Sequence, residues 1–149
     1  MSNERYKNLG LALSTWLQGG ATLVSLTGHT STTPRIMGTS DEKPPNTSLI
    51  VENIFTVPLD PDVDCGPFLS VIRVHCRGNT KALSLQLAGA LQDHVKQDPT
   101  TGADASFTSS GVRSLGVQWR GIPEIHGKQE ADSGGFVTEA EIEIQWIET

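Results

Sequence analysis

Along Val71–Val95, VIRVHCRGNTKALSLQLAGALQDHV, the spacing of the apolar residues changes at Gly78. Before it they recur at every second position, Ile72, Val74 and Cys76, which predicts a strand with one buried face. After it they recur at every third or fourth, Leu83, Leu87, Leu91 and Val95, which predicts a helix. Asn79 or Thr80 stands where a cap for that helix is needed, and the small residues Ala88, Gly89 and Ala90 allow its backbone close to a sheet. Nearer the N-terminus, Tyr6, Leu9, Leu13, Trp16 and Leu17 fall on one helical stripe. Gly19–Gly20 is expected to end that helix in the left-handed conformation of a C-cap, and ATLVSLTG adds one more apolar turn, so the whole reads as a helix plus a short helical piece that covers a sheet.

SLIVENIFTV, Ser48–Val57, is rich in β-branched and aromatic residues and predicts a strand, apolar on both faces and so inside the sheet. PLDPDVDCGP turns the chain, and Phe68–Arg77 returns as the partner of an antiparallel hairpin. Leu115, Val117 and Trp119 alternate with Gly116, Gln118 and Arg120, and HGKQEADSGG, His126–Gly135, reads as a polar hairpin connection. The last strand alternates most cleanly: Thr138, Ala140, Ile142, Ile144 and Trp146 against Val137, Glu139, Glu141, Glu143 and Gln145. Two stretches, 28–48 and 97–111, lack any period and are expected to be mobile loops. The expected fold is α+β, in the order α-β-β-α-β-β: one domain over 1–149, with a four-stranded, mainly antiparallel or mixed sheet and helices packed on one face.

A sheet covered on one side leaves its other face wet. That face carries Arg73, His75, Arg77, Arg120, Glu139, Glu141 and Glu143. If the second and fourth strands are neighbours, opposite charges meet as cross-strand pairs, each worth roughly 0.2–1 kcal/mol. Two readings stand side by side: a solvated, self-complementary face, or a docking surface on which the same charges set register against another subunit.

Composition narrows the functions. The chain has 149 residues, enough for one packed domain, with 36% hydrophobic content. Its 11 basic and 17 acidic residues give a net charge of −6, a poor basis for gripping a phosphate backbone. MSNERYKN is followed by no apolar core of a secretory signal, and no apolar run approaches the length of a membrane span. Cys65 and Cys76 show no redox or metal spacing and read as free thiols.

Candidate chemistry is sparse. Asp60, Asp62 and Asp64 have the alternate spacing of a calcium loop, but the sixth position is Cys65 rather than glycine and the twelfth is Val71 rather than glutamate. His75 and Cys76 point to opposite faces of a strand; His29, His94 and His126 share no ligand spacing, and His94 is placed to answer a helix dipole. No G-x-S-x-G elbow is present, and RGNTK at Arg77–Lys81 lacks the glycine spacing of a phosphate loop. Glu139, Glu141 and Glu143 stand roughly 6–7 Å apart along a strand, a spacing that alone suits glycoside hydrolysis. No catalytic, metal or cofactor site is therefore assigned, and no enzyme is expected.

LALSTWLQGGATLVSLTG, the strand SLIVENIFTV, the strand–helix centre FLSVIRVHCRGNTKALSLQLAGALQDHV and the closing VTEAEIEIQWIE together resemble the tail terminator, or tail-completion, proteins of long-tailed bacteriophages. The resemblance is one of pattern and order over nearly the whole chain. It implies a small α+β virion protein, monomeric or weakly associated in solution, assembled in the cytoplasm of a bacterial host. Six copies would form a ring on the head-proximal end of the tail tube, stop tube polymerisation and present a surface to a head-completion or connector protein. Partners would be other copies of itself, the major tail tube protein and the connector. Genomic DNA would pass through the ring without sequence-specific binding, and no membrane is involved. The 28–48 loop departs from that pattern by its length. Part of the ionic face would then lie at subunit or tube contacts. Another neck protein (a connector or stopper), a small ligand-binding module with a pocket between helix and sheet, and a hydrolase using Glu141 or Glu143 remain as alternatives.

Overall fold

A computed structural model describes residues 5–38, 45–60, 62, 66–96, 107–122, 128–129 and 135–149. Its elements follow in the order α1 (Arg5–Gln18), α2 (Ala21–Thr27), β1 (Ile36–Gly38), β2 (Ser48–Pro58), β3 (Phe68–Gly78), α3 (Lys81–Val95), β4 (Thr108–Ser109), β5 (Val112–Gly121), β6 (Lys128–Gln129) and β7 (Phe136–Glu148). Six strands pair in the order β1-β2-β3-β7-β5-β4, and β6 adds a seventh against β7. All pairings are antiparallel except the parallel β1–β2.

This corrects the expected four-stranded sheet in α-β-β-α-β-β order. The four long strands are present and α2 is the short helical piece expected after α1, but β1, β4 and β6 join the sheet. Three residues or fewer cannot display a period of two, so β1 and β4 stood unseen inside the stretches read as loops. They form because neighbouring strands offer them unpaired backbone groups.

Gly19–Gly20 also behaves differently from expectation. Gly20 has an extended conformation (φ −84°) as the N-cap of α2, and α1 and α2 meet there at 92°. A Cβ at Gly20 would lie 2.9 Å from His94 Nδ1, so the corner needs the missing side chain for space. The left-handed cap sits one helix later, at Gly28 (φ 72°). Next to it, His29 Nδ1 accepts from the backbone N–H groups of Arg35 and Ile36 at 2.9 and 3.1 Å, which ties down the approach to β1.

The helices cover one face of the sheet. Leu9, Ala12, Leu13 and Leu17 of α1 and Leu87, Ala88 and Leu91 of α3 are buried against Leu49, Val51, Ile72, Val74, Cys76, Ala140, Ile142, Ile144 and Trp146. Tyr6, expected on the buried stripe, is instead 54% exposed, and of the three small residues in α3 only Ala88 is fully buried. Thr80 is the cap of α3, accepting from Leu83 N–H at 3.1 Å. A Cβ on Gly78 would stand 2.9 Å from the Ser84 backbone nitrogen, so this strand-to-helix turn requires glycine. Polar groups inside the core are partnered: Trp146 Nε1–H donates to Ser70 Oγ at 2.8 Å, and the Ser84 and Thr138 hydroxyls bond one another. Among the described residues no helix is long and apolar enough to cross a membrane.

Candidate functional site

The uncovered face is built by β2, β3 and β7. Residues whose neighbours along the strand point into the core must point away from it. Register places Arg73 between Glu52 and Glu141, and His75 between Ile50 and Glu139. Arg73 Nη2 lies 3.2 Å from Glu141 Oε1, and its Nε lies 3.8 Å from Glu139 Oε2. His75 Nε2 lies 2.7 Å from Glu52 Oε2, and its Nδ1 lies 3.5 Å from Glu139 Oε1. One chain of contacts, Glu52–His75–Glu139–Arg73–Glu141, therefore crosses three strands.

Four of the seven residues expected on this face are in that network, and three are not. Arg77 is only 5% exposed, at the sheet end beside Ser48 and Val137. Glu143 is half-buried between Val71 and Gln118 in register, and Arg120 is exposed on the bulge between Trp119 and Gly121. Neither Glu143 nor Arg120 makes an ion pair with another described residue. Glu52 was missed from sequence, because β2 reads as apolar on both faces. Its signal was parity: in a hairpin with β3 it shares a side with Ile50 and stands opposite Arg73.

The arrangement is suited to holding register rather than to chemistry. The one Arg73 guanidinium is shared by two carboxylates, hydrogen-bonded to Glu141 and 3.8 Å from Glu139. Among the described residues no group of three metal-ligating side chains occurs. Asp60 accepts from the Asp62 backbone N–H at 3.0 Å, an Asx turn, while Asp64, Cys65 and His126 lie outside the described residues. The buried Cys76 thiol is pushed up to about 12 by loss of solvent and stays protonated. His94 stands in the last turn of α3, as expected. Its Nε2 lies 3.2 Å from the Trp16 carbonyl and its ring packs 4.6 Å from the Trp16 ring, and burial holds it below its ordinary 6.5, partly offset by that bond.

A cleft of about 440 Å³ opens on the helix side, between α1 and the margin of β1 and β2. Tyr6, Lys7, Leu11, Glu52 and Asn53 are among its lining residues.

No protein-family model matches the chain, and no curated protein matches it significantly. Among solved structures, a chain described as part of the "virion of native gene transfer agent (GTA) particle" superposes with a TM-score of 0.61, covering 99% of this chain and 100% of that one. The two are 16% identical. Over its whole length, the present chain shares the fold of that virion chain.

Proposed function

We propose that this chain is a structural protein of a phage-like virion and acts as a tail terminator. The observation behind the proposal is the end-to-end fold likeness to a chain of a gene transfer agent virion, with neither chain left over. The sequence resemblance to tail terminators points the same way. In this reading, six copies form a ring at the head-proximal end of the tail tube, end its growth and receive a connector protein. The protein is then a non-enzymatic part of the virion, assembled in the host cytoplasm. DNA threads a ring of net negative subunits, which repel the duplex and let it slide.

Within one subunit the network sets three carboxylates against Arg73 and His75, and the buried Arg73 Nε has no hydrogen-bond partner among the described residues. In this reading Glu143 and Arg120, which make no ion pair with another described residue, and the outer carboxylates Glu52 and Glu141 are the charges offered to contacts beyond the subunit. Electron microscopy of particles assembled with and without the protein tests the main reading: tails of uncontrolled length are expected in its absence, and unchanged tails refute it. Reversing Glu141 and Glu143 together tests the face, where normal ring assembly and tail length count against a contact role.

Two other readings remain. A connector or stopper would leave tail length unaffected while preventing heads from joining. The cleft beside α1 favours small-ligand binding, and a thermal-shift screen of metabolites that raises the unfolding midpoint would support it.

A further inference from the structure

The sheet has two open margins. β1 pairs only with Leu49, Ile50 and Val51, so among the described residues no strand covers the outer side of β2 over 52–58. At the other end β4 pairs only with Val112 and Arg113, leaving the outer side of β5 over 115–121 likewise uncovered. The shared register with β3 and β7 gives the relative height of these two stretches. Glu52 and Gly121 both stand level with Glu141. Phe55 and Gln118 stand level with Glu143, and Val57 and Gly116 level with Gln145. The open windows are thus at the same height, with β1 closing the lower end of one and β4 the upper end of the other.

Strand direction fits as well. β2, β3, β7 and β5 alternate in direction, so β5 of one copy set beside β2 of the next makes an antiparallel pair and continues the sheet. The charges on the two margins are opposite. β2 contains Glu52 and no basic residue, and Asp60 and Asp62 follow it. β5 contains Arg113 and Arg120 and no acidic residue, and both arginines are exposed without an ion pair among the described residues. Level pairing brings Arg120 to Glu52 and sets Arg113 toward the end of the window that leads to Asp60. Both margins also expose large apolar side chains: Ile54, Phe55 and Val57 are 39–47% exposed on β2, and Leu115 is 46% exposed on β5. Of the devices by which monomeric proteins blunt an open margin, 52–58 has a bulge between Asn53 and Phe55 but no lysine, and its proline comes last.

We infer that a second copy of this chain docks its β5 margin on the β2 margin of the first, head to tail. The contact is heterologous, so repetition closes a ring or runs on as a filament. The inference deepens the terminator reading and rests on it for the ring, while the strand pairing is measurable on its own.

A charge swap on exposed positions tests it. One variant carries Phe55→Lys and Val57→Lys on β2; the other carries Gln118→Glu and Arg120→Glu on β5. Each alone now sets like charges across the junction, and each is expected to lose self-association in sedimentation velocity and native mass spectrometry. Unchanged circular dichroism and unfolding midpoints show that both still fold. Equimolar mixing restores both kinds of junction, and the assemblies are expected to return with the two variants in equal numbers. A wild-type chain that remains monomeric at every concentration, a single variant that still assembles, or a mixture that stays monomeric overturns the inference. Tail length is read separately. Pairing without any effect on tails removes the terminator reading and leaves the junction; controlled tails without pairing do the reverse.

Discussion

Ile142 sits at the centre of the core, fully buried on β7 between Ile72 of β3 and Trp119 of β5. Truncating it to alanine removes contacts on every side, and Ile142→Ala is expected to lose about 2–5 kcal/mol in denaturant unfolding. His94 acts differently, through a proton. Burial lowers its folded value below the ordinary 6.5, so the unfolded chain binds the proton more readily. Its contribution is fully present above about pH 6.5 and is lost as pH falls through the lowered folded value. The thermal midpoint should therefore drop on acidification, and His94→Gln, which keeps a donor toward Trp16, should show a shallower drop. An equal slope in both proteins would remove His94 from the account. The burial of Ile142 is legible in the alternation of the last strand; the lowered His94 value is not, because the burial that causes it comes from packing against distant segments such as Trp16.

At the level of elements, period predicted well and parity less well. The alternation of β7 and the spacing of α3 hold, and that of β3 holds except at Val71 and Arg77, which are buried on the odd-numbered side, because each of these elements is flanked by partners along its length. β5 illustrates the failure. Val112 and Ser114 face inward, a bulge intervenes before Gly116, and Val117 then resumes the inward side, which leaves Leu115 exposed. A bulge inserts one residue on one strand, and only the partner strand shows that it has occurred. The same event between Asn53 and Phe55 turns Phe55 and Val57 toward the ionic face of β2. The Gly78 corner is a further case, in which the reason for glycine lies in the next helix rather than in the strand. Gly78→Ala should push α3 away from β3 and cost about 1–3 kcal/mol, read as a lowered unfolding midpoint with the same m-value.

For the whole molecule, the ionic network separates stability from assembly. Its members are between one-fifth and nearly one-half exposed, a setting in which ion pairs contribute roughly 0–1 kcal/mol. Arg73→Ala is therefore expected to change stability by no more than about 1 kcal/mol. It also leaves Glu139 and Glu141 unneutralised on a face already rich in carboxylates. If the face meets another subunit or a tube, assembly should fall far more than stability, and a parallel loss of both would return the network to an internal role.

Residue types and their spacing were sufficient for the slab: apolar even-numbered side chains of β3 and β7 beneath helices, and ionic odd-numbered ones on the other side. Short-range geometry enforces this, since a strand has a period of two and a helix one of 3.6 wherever they occur. Strand order, the three short strands, the two shifts of parity and the entry of Glu52 into the network all depend on which segments lie side by side. So does the level alignment of the two open margins. Such contacts join residues far apart in the chain, and their energies exist only once the backbone has brought them together.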